Sequence, residues 1–367
     1  MQAAAFHPAC RGVSRVIIDP THPDVPLSGE IPGQVPQKMI RDLLQVPDEV
    51  WRAMMMGTMR GLATWSLRTR KLSLGARTLV MGVVNITPDS FSDGGLFLDP
   101  ETAVAHALML LDEGADLIDL GAESTRPGSR AGDLADSPQA QGPHPAVSAE
   151  EEQARLLPVL EGILRERPDA ILSVDTYKAA TARAALRAGA EIVNDVSGFT
   201  WDERMAPICA EFGAGVVLMH TRGRPQEWRT QPQLEPDALL ALVRDGLSAS
   251  LAKAAAAGIP PEAVVLDPGY GFGKRFDENY SLLARQAELL ALGRPLLAGV
   301  SRKSFLAHTL ANLKDGGAFV EARENASLAA MTAAILRGAS LVRVHAVRPA
   351  VEAARIADAI LAAARQG

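Results

Sequence analysis

A regular alternation of short apolar runs and longer helical segments, from about residue 79 onward, constrains this chain more than any other feature. Each run is rich in Val, Ile and Leu, as buried strands are, and each is followed by an Ala- and Leu-rich segment with helical spacing. Strands that alternate with helices predict a parallel sheet. The eight predicted strands lie at 79–84, 117–121, 171–174, 191–196, 215–219, 263–267, 295–300 and 340–344.

Eight strand–helix units in about 300 residues fit an α/β fold of the (β/α)8 TIM-barrel type. An open, doubly wound sheet is the alternative, but no GxGxxG opens the first helix, which weakens it. Local signals support the helices. Asp99 and Pro100 make an N-cap and first-turn pair, and Ser148 with Glu151 forms a capping box. Pro158 should kink or shorten the helix in which it lies.

Two segments do not follow the alternation. We interpret residues 1–63 as a partly irregular N-terminal extension, because much of the segment is rich in Pro and Gly. The alternating part, 64–367, is predicted to be the catalytic domain. Residues 130–147 form an insertion that lengthens the loop between the second strand and its helix.

Composition excludes several classes of protein. A net charge of -6 argues against general nucleic-acid binding, which usually needs a basic surface. The only two cysteines, Cys10 and Cys209, are far apart and outside any CxxC pattern, which argues against zinc or a disulfide framework and favours a reducing cytoplasm. No 18-residue apolar run predicts a membrane span, and the start lacks the apolar core of a secretory signal.

Polar side chains follow every predicted strand. In a barrel these positions meet at the C-terminal face, where active sites of this fold lie. Cations gather there too, and the loops after the last two strands are a frequent phosphate site, so a phosphorylated or carboxylate-bearing substrate is expected. The polar residues are Asn85, Glu123 to Arg126, Asp175, Asn194 and Asp195, His220, Asp267, Ser301 to Lys303, Arg343 and His345, with Lys274 nearby.

Residue types suggest two kinds of ligand. Asn85, with Asp89 and Asp93 nearby, offers oxygen atoms that suit Mg²⁺, which usually takes one or two protein oxygens and completes its shell with water and phosphate. A carboxylate such as Asp175 or Asp267 could pair twice with a flat heterocycle that has an amidine-like N–C–NH₂ edge. These residue types do not by themselves choose a reaction.

Several of these stretches together resemble dihydropteroate synthases, the pterin-binding barrels of the folate pathway. The resemblance covers roughly residues 64 to 367, in matching order and spacing. The first, second and seventh of the matching strings are highly specific. The strings are "MGVVNITPDSFSDGG" (81–95), "DLGAESTRPGS" (119–129), "SVDTYKA" (173–179), "VNDVSG" (193–198), "MH" (219–220), "DPGYGFGK" (267–274), "GVSRKSF" (299–305) and "RVH" (343–345).

The resemblance implies a reaction. It implies that 6-hydroxymethyl-7,8-dihydropterin diphosphate condenses with 4-aminobenzoate to give 7,8-dihydropteroate and pyrophosphate, with Mg²⁺ required. It also implies a dissociative, SN1-like mechanism, a homodimer and a sulfonamide target. Small molecules are thus the expected partners, with neither nucleic acid nor membrane involved.

The resemblance further implies roles for single residues. The pterin would be held by Asp175, Asn194, Asp267 and Lys303, the metal by Asn85 and Asp93, and the diphosphate by Arg343 and His345. Thr125, Arg126 and Pro127 match a second mobile loop, Ser304 lies near the aminobenzoate carboxylate, and Phe91 and Phe272 wall its pocket. The implied catalytic residues are Asp175, Lys303, Asp93 and Arg126.

Some residues keep a plainer interpretation. Asp175 and Asp267 also fit helix N-caps, His220 fits a core histidine as well as a direct role, and Lys274 fits a surface cation. Three more residues have structural expectations: Cys209 in the core, Glu123 as a support of the second loop, and Asp195 as a structural neighbour of the site.

The chain departs from the family pattern at Ala346, where Asp is usual, and at Ala122, where Gly is common. Two rival functions therefore stay open. One is a methyltetrahydrofolate:corrinoid methyltransferase, which would share the pterin residues but should lack the "TPDSFSDGG", "STRPG" and "SRKS" strings. The other is a catalytically silent paralogue that binds pterin or a protein partner.

Overall fold

The eight predicted strands form a closed barrel in a computed structural model that describes residues 60–86, 99–124, 147–311 and 320–364. All eight are parallel, and the last pairs with the first, with Leu341 opposite Leu79. A closed barrel leaves no open edge strand. The barrel strands are β3 (Leu79–Asn85), β4 (Leu117–Gly121), β5 (Leu172–Asp175), β6 (Ile192–Asp195), β7 (Gly215–Met219), β8 (Val264–Asp267), β9 (Leu296–Ala298) and β10 (Ala339–Val344).

A ring of helices surrounds the barrel, as the alternation predicts, and the TIM-barrel prediction is confirmed. The outward residues of the strands, such as Ile118, Leu218 and Val342, pack on apolar helix faces and form the larger hydrophobic cluster. The helices are α1 (Pro100–Asp112), α2 (Ala149–Glu166), α3 (Ala179–Ala188), α4 (Met205–Phe212), α5 (Pro236–Ala256), α6 (Phe276–Ala284), α7 (Ser304–Leu310), α8 (Val320–Leu336) and α9 (Val347–Ala364).

The predicted helix starts are confirmed, and one expectation about a helix is partly wrong. The Asp99 side chain caps α1 by accepting from the Glu101 N–H, and Ser148 caps α2 by accepting from the Glu151 N–H. Pro158 does not shorten α2, which continues through it to Glu166. Pro158 lies more than two full turns after the start of α2. The buried side chains of α2 offset the cost of the one backbone hydrogen bond that proline removes.

A two-stranded hairpin below the barrel was not predicted. Its strands are β1 (Ala63–Ser66) and β2 (Lys71–Leu74), which pair antiparallel. Trp65 is fully buried and donates its indole N–H to the Ala263 carbonyl at 2.9 Å. Together with Leu67 and Leu74, it packs on the inward apolar residues of the barrel. The hairpin therefore closes the N-terminal end of the barrel.

A buried ion pair joins both ends of the barrel domain. The Arg60 guanidinium contacts Asp358 of α9 at 2.5 Å, and it also donates to the Thr78 hydroxyl and the Ala339 carbonyl. These contacts link the chain before the hairpin to Thr78, which directly precedes the first barrel strand, to the last barrel strand and to the last helix.

Two domain predictions fall mostly outside the described residues. Only Arg60 to Ala63 of the predicted extension 1–63 and Val147 of the predicted insertion 130–147 are described, so both boundaries stay predictions. Among the described residues, no helix combines the length and the apolar character that crossing a bilayer requires.

We expect Trp65→Ala to lower the free energy of unfolding by about 3–5 kcal/mol, because it leaves a cavity beneath the barrel. Urea denaturation followed by far-UV circular dichroism measures this change. Leu62→Ala is the matched control, because this side chain lies three residues away and is 77% exposed. The control should change stability by less than about 0.5 kcal/mol. Equal effects of the two substitutions would mean that the hairpin does not support the barrel.

Candidate active site

The predicted site residues at the strand ends have side chains that point into the barrel. Side chains alternate in direction along a strand, and the lower inward positions carry Ile192, Val265 and Leu341. Two residues further along the same strands stand Asn194, Asp267 and Arg343. The side chains that begin as the apolar floor of the barrel thus end as a polar mouth.

The structure brings nine of the predicted site residues to this mouth or to the loops that follow it. Their functional roles stay predictions. The nine are Asn85, Asp175, Asn194, Asp267, Phe272, Lys303, Ser304, Arg343 and His345. The remaining predicted residues, Phe91, Asp93, Thr125, Arg126 and Pro127, lie outside the described residues.

The Arg343 guanidinium is held between two carboxylates. Its Nε donates to Asp119 Oδ2 at 2.6 Å, and its Nη2 donates to Asp175 Oδ2 at 2.7 Å. Arg343 lies on β10, whereas its partners lie on β4 and β5, so the side chain crosses the barrel interior past β3. Such charge-assisted bonds are short and directional. They fix the guanidinium at the centre of the mouth.

Asp119 is a site residue that the sequence analysis missed. It is fully buried, in the middle of the apolar strand "LIDLG". Leu117 is inward and Ile118 and Leu120 are outward, so period 2 places Asp119 inside the barrel. A lone carboxylate at an inward strand position costs free energy unless it is paired. That pattern is the signal by which it could have been found.

Asp119 also orients the Asn194 amide. Asn194 Nδ2 donates to the same Asp119 Oδ2 at 3.0 Å. With its N–H₂ group directed to Asp119, the amide presents its carbonyl oxygen as a further acceptor. One buried carboxylate oxygen therefore fixes both the position of the Arg343 guanidinium and the orientation of the Asn194 amide.

Burial changes the acid–base properties of Asp175 and Asp267. Burial raises the pKa of Asp175 to about 7, although the Arg343 guanidinium acts in the opposite direction. Burial also raises the pKa of Asp267, while the Gly269 N–H, which donates to Asp267 Oδ1 at 2.7 Å, acts to lower it. Neither carboxylate caps a helix, so that interpretation was wrong for both.

Lys303 brings its ammonium group over the Phe272 ring, 3.8 Å from the ring centre. Burial lowers the pKa of Lys303 to about 8, and the nearby Arg343 charge adds to this effect. The preceding residue, Arg302, has a φ of 57°. A non-glycine residue in this left-handed conformation is uncommon, and here it is supported by the bond from the Arg302 N–H to the Ser327 hydroxyl at 2.9 Å.

The other described site residues complete the rim. Ser301 Oγ lies 3.0 Å from His345 Nδ1. Asn85, the last residue of β3, stands beside Gly121 of β4. A cavity of about 600 Å³ opens beside Ser304 and is also lined by Gly271, Lys274 and Phe305.

Lys274 is buried, so its interpretation as a surface cation was wrong. Its Nζ donates to the carbonyl oxygens of Gly269 at 2.7 Å, His220 at 3.2 Å and Phe272 at 3.2 Å. Burial lowers the pKa of Lys274 to about 7. His220 is buried as well, and its Nδ1 has no hydrogen-bond partner among the described residues.

Three plainer interpretations are confirmed. Glu123 pairs with Lys178 and accepts from the Val147 N–H at 3.2 Å, so it ties together the two described ends of the second loop. Asp195 accepts from the N–H groups of two later residues in its own turn. Cys209 is a buried free thiol in α4, and burial raises its pKa.

The metal prediction rests on one described residue. Within the described residues, no group of three or more His, Cys, Asp and Glu side chains is arranged to hold a metal ion. Asn85 is half-buried at the mouth, and its side-chain carbonyl oxygen is a donor that Mg²⁺ accepts. This single amide oxygen therefore fits an ion such as Mg²⁺, which takes few protein ligands and fills its remaining positions with water and phosphate oxygens.

The sequence profile of the family described as "Pterin binding enzyme" matches residues 81–345. A dihydropteroate synthase of Mycobacterium leprae (strain TN) is 42% identical over 289 residues, which cover 78% of this chain and 95% of that protein. The chain therefore belongs to the pterin-binding enzymes and, within them, to the dihydropteroate synthase family.

Solved structures agree with this assignment. The structure of Xanthomonas albilineans dihydropteroate synthase with 4-aminobenzoic acid matches with a TM-score of 0.70 and 38% identity, covering 82% of this chain and 99% of that one. The same organism's enzyme in complex with 7,8-dihydropteroate matches with a TM-score of 0.67 and 36% identity, with the same coverage.

We expect Asp119→Asn to lower the free energy of unfolding by about 3 kcal/mol, because Arg343 would lose one of its two buried anionic partners. Urea denaturation measures the change. Asp112→Asn is the control, because it removes the same charge from a surface pair with Arg167, in which the Arg167 and Asp112 side chains are 43% and 64% exposed. The control should cost less than about 1 kcal/mol. An Asp119→Asn variant as stable as this control would show that the buried pair does not hold the mouth together.

Proposed function

We propose that the chain catalyses the dihydropteroate synthase reaction. It would join 6-hydroxymethyl-7,8-dihydropterin diphosphate to 4-aminobenzoate and release pyrophosphate. The observation that carries the proposal is the Asp119–Arg343–Asp175 arrangement inside a barrel of this family, with Asn194, Asp267 and Lys303 around it. These groups supply both carboxylates for a flat cationic ring and cations for an anionic leaving group.

The pterin would bind across the inward-facing mouth residues. Asp175 and Asn194 stand opposite each other on neighbouring strands, so their side chains can contact one ring from the same side. The Asn194 amide, oriented by Asp119, would accept from the ring. Asp267 Oδ2, whose neighbour Oδ1 is held by Gly269, would receive the N–C–NH₂ edge of the ring. Lys303 would donate to ring oxygen or nitrogen.

The diphosphate would lie over Arg343 and His345. A fixed guanidinium in a site that is largely shielded from water stabilises the charge that develops on a departing phosphate more strongly than one in solvent. In the dissociative mechanism the leaving group departs first and leaves a methylene cation conjugated with the pterin. The ionised Asp175 would stabilise this positive ring, so that a weakly nucleophilic aryl amine can attack.

The aminobenzoate would occupy the side of the mouth that Phe272 and Ser304 form. The Phe272 ring is a flat apolar wall, and its edge contact with Trp228 fixes its orientation at an interplanar angle of 81°. Edge-to-face contacts of this kind are a preferred arrangement of aromatic rings. Ser304 lines the adjoining cavity and would contact the substrate carboxylate.

Magnesium would be held by Asn85, together with Asp93, which lies outside the described residues. When it is bound, Mg²⁺ neutralises charge on the diphosphate oxygens and so improves the leaving group. Asn85 ends β3, the strand next to β10, which carries the proposed diphosphate ligand Arg343.

We also propose a homodimer in the cytoplasm. The free, buried Cys209 thiol fits a reducing compartment. Ile356 and Ile360 lie one turn apart on α9 and are 64% and 49% exposed. They offer an apolar strip that a second copy could cover. Sedimentation equilibrium of the purified protein tests the dimer.

Pyrophosphate release is the assay that decides the function. We expect release that depends on both substrates and stops on chelation of Mg²⁺ with EDTA. Asp175→Asn should lower kcat by about 100-fold or more, since it removes the charge that stabilises the cation. Asp112→Asn on the surface is the control and should keep full activity. A sulfonamide should compete with aminobenzoate.

Two results would contradict the proposal. Pterin binding in calorimetry without pyrophosphate release would favour the silent paralogue and would direct attention to Ala346. Methyl transfer from methyltetrahydrofolate to a corrinoid would favour the rival transferase.

The pH dependence of kcat/KM for the pterin diphosphate should be bell-shaped. Asp175 must be ionised, and because its pKa is raised to about 7, activity falls as the pH drops below that value. Lys303 must be protonated, and because its pKa is lowered to about 8, activity falls above that pH. Lys303→Arg stays charged to roughly pH 12 and should remove the alkaline limb. An alkaline limb that is unchanged in this variant would assign it to another group.

A further inference from the structure

Lys274 is a buried lysine whose ammonium group makes several hydrogen bonds to the backbone. Lys274 Nζ donates to three carbonyl oxygens, those of Gly269, His220 and Phe272. A lysine ammonium has three N–H donors and no acceptor. The number of donors matches the number of buried acceptors. The Gly269 and Phe272 carbonyls also accept from backbone N–H groups, so an apolar side chain would chiefly deprive the His220 carbonyl of its donor.

These carbonyls belong to the loop that separates the two predicted substrate positions and to the strand end beside it. Residues 268–275 leave β8 after Asp267, and Gly269, Gly271 and Gly273 in this loop all have positive φ, at 71°, 80° and 71°. A Cβ atom on Gly269 would lie 1.9 Å from the His220 carbonyl oxygen, so the loop passes close to the end of β7. Such a glycine-rich loop has little intrinsic preference for one shape.

Backbone bonds from the Phe272 N–H to the Gly269 carbonyl at 3.2 Å and from the Arg222 N–H to the Phe272 carbonyl at 3.3 Å hold part of this loop, and Lys274 and Asn279 add side-chain bonds to it. Asn279 Oδ1 accepts from the Gly271 N–H at 2.7 Å, and its Nδ2 donates to the Arg275 carbonyl at 2.7 Å. Lys274 binds the loop from beneath, at its beginning and at Phe272. Its ammonium group is thus bound to backbone carbonyls of the loop, whereas Phe272 presents its ring to Lys303 at the mouth.

Phe272 transmits this order to the site. Its ring contacts Trp228 edge-on at 5.0 Å on one side and Lys303 Nζ at 3.8 Å on its face. The Lys303 stem also packs on Gly271, since a Cβ atom there would lie 3.2 Å from Lys303 Cδ. The Phe272 carbonyl also accepts from the Arg222 N–H at 3.3 Å, so loss of the Lys274 contact would weaken the hold on the aromatic wall without releasing it.

We infer that Lys274 is a positioning residue that acts through Phe272 to set the aminobenzoate side of the mouth. This inference rests on the proposed function. It assigns the pterin side a smaller dependence on Lys274, because Asp267 is placed by its own strand, β8, whereas Phe272 lies in the loop that Lys274 binds. Loss of Lys274 should therefore weaken aminobenzoate binding more than pterin binding, whereas a general loss of stability would affect both.

The test is a steady-state comparison of Lys274→Met with the wild-type chain. We expect KM for aminobenzoate to rise about tenfold, which corresponds to about 1.4 kcal/mol, whereas KM for the pterin diphosphate should change less than about threefold. Lys253→Met is the matched control, because Lys253 Nζ donates to a single carbonyl, that of Phe199, away from this loop. It should leave both KM values unchanged.

A double-mutant cycle tests whether Lys274 acts through Phe272. In a Phe272→Leu background, Lys274→Met should raise KM for aminobenzoate by less than about twofold further. Lys274→Gln keeps two N–H donors, should fold if Lys274→Met does not, and should have an intermediate effect.

Several outcomes would overturn the inference. They are equal changes in both KM values, additive effects in the cycle, unchanged KM values in a folded Lys274→Met protein, or failure of both Lys274 variants to fold, which would make the residue purely structural. A wild-type chain without aminobenzoate-dependent pyrophosphate release would instead contradict the proposed function itself.

Discussion

The bonds from the Arg343 guanidinium to Asp119 and Asp175 organise the whole mouth of the barrel. A closed barrel of eight strands directs inward side chains toward one another, so charges placed there must find partners across the interior. Arg343 meets this requirement with two carboxylates on neighbouring strands, one of which is fully buried. Because Asp119 also receives the Asn194 amide, the orientation of a neutral site residue depends on the same pair.

The charges around this pair form a balanced set. Three carboxylates, those of Asp119, Asp175 and Asp267, face three cations, those of Arg343, Lys303 and Lys274. Burial shifts the pKa values of Asp175, Lys303 and Lys274 toward neutrality. These shifts bring the loss of the Asp175 charge and the loss of the Lys303 charge close to neutral pH. The apolar floor and the hairpin beneath it keep water from reaching these charges from below. The lower barrel thus affects the charged groups of the mouth by limiting their contact with water.

Much of the site could be predicted because it depends on local order. Period 2 along each strand, together with convergence of parallel strands at one face, places Asp175, Asn194, Asp267 and Arg343 in one ring without knowledge of any contact. The hairpin was missed because its strands hold only four residues each, too few for their alternation of apolar and polar residues to be recognised. Asp119 was missed because an apolar strand was treated as a uniform unit, although its inward phase marks the position. The interpretation of Lys274 as a surface cation was wrong because nothing in "GFGK" shows on which side of the loop the lysine lies.

The sequence by itself determined the order of eight strand–helix units, the face on which the polar residues gather and the family to which its strings belong. These properties follow from periodicity and from short stretches of adjacent residues. Only the tertiary structure decided which charges pair, namely that Arg343 reaches past β3 to Asp119 and Asp175, and that Lys274 turns beneath its loop to three carbonyls. The physical reason is that these partners are far apart along the chain, by 224 residues for Arg343 and Asp119. Their choice depends on barrel closure and burial, which no local pattern encodes.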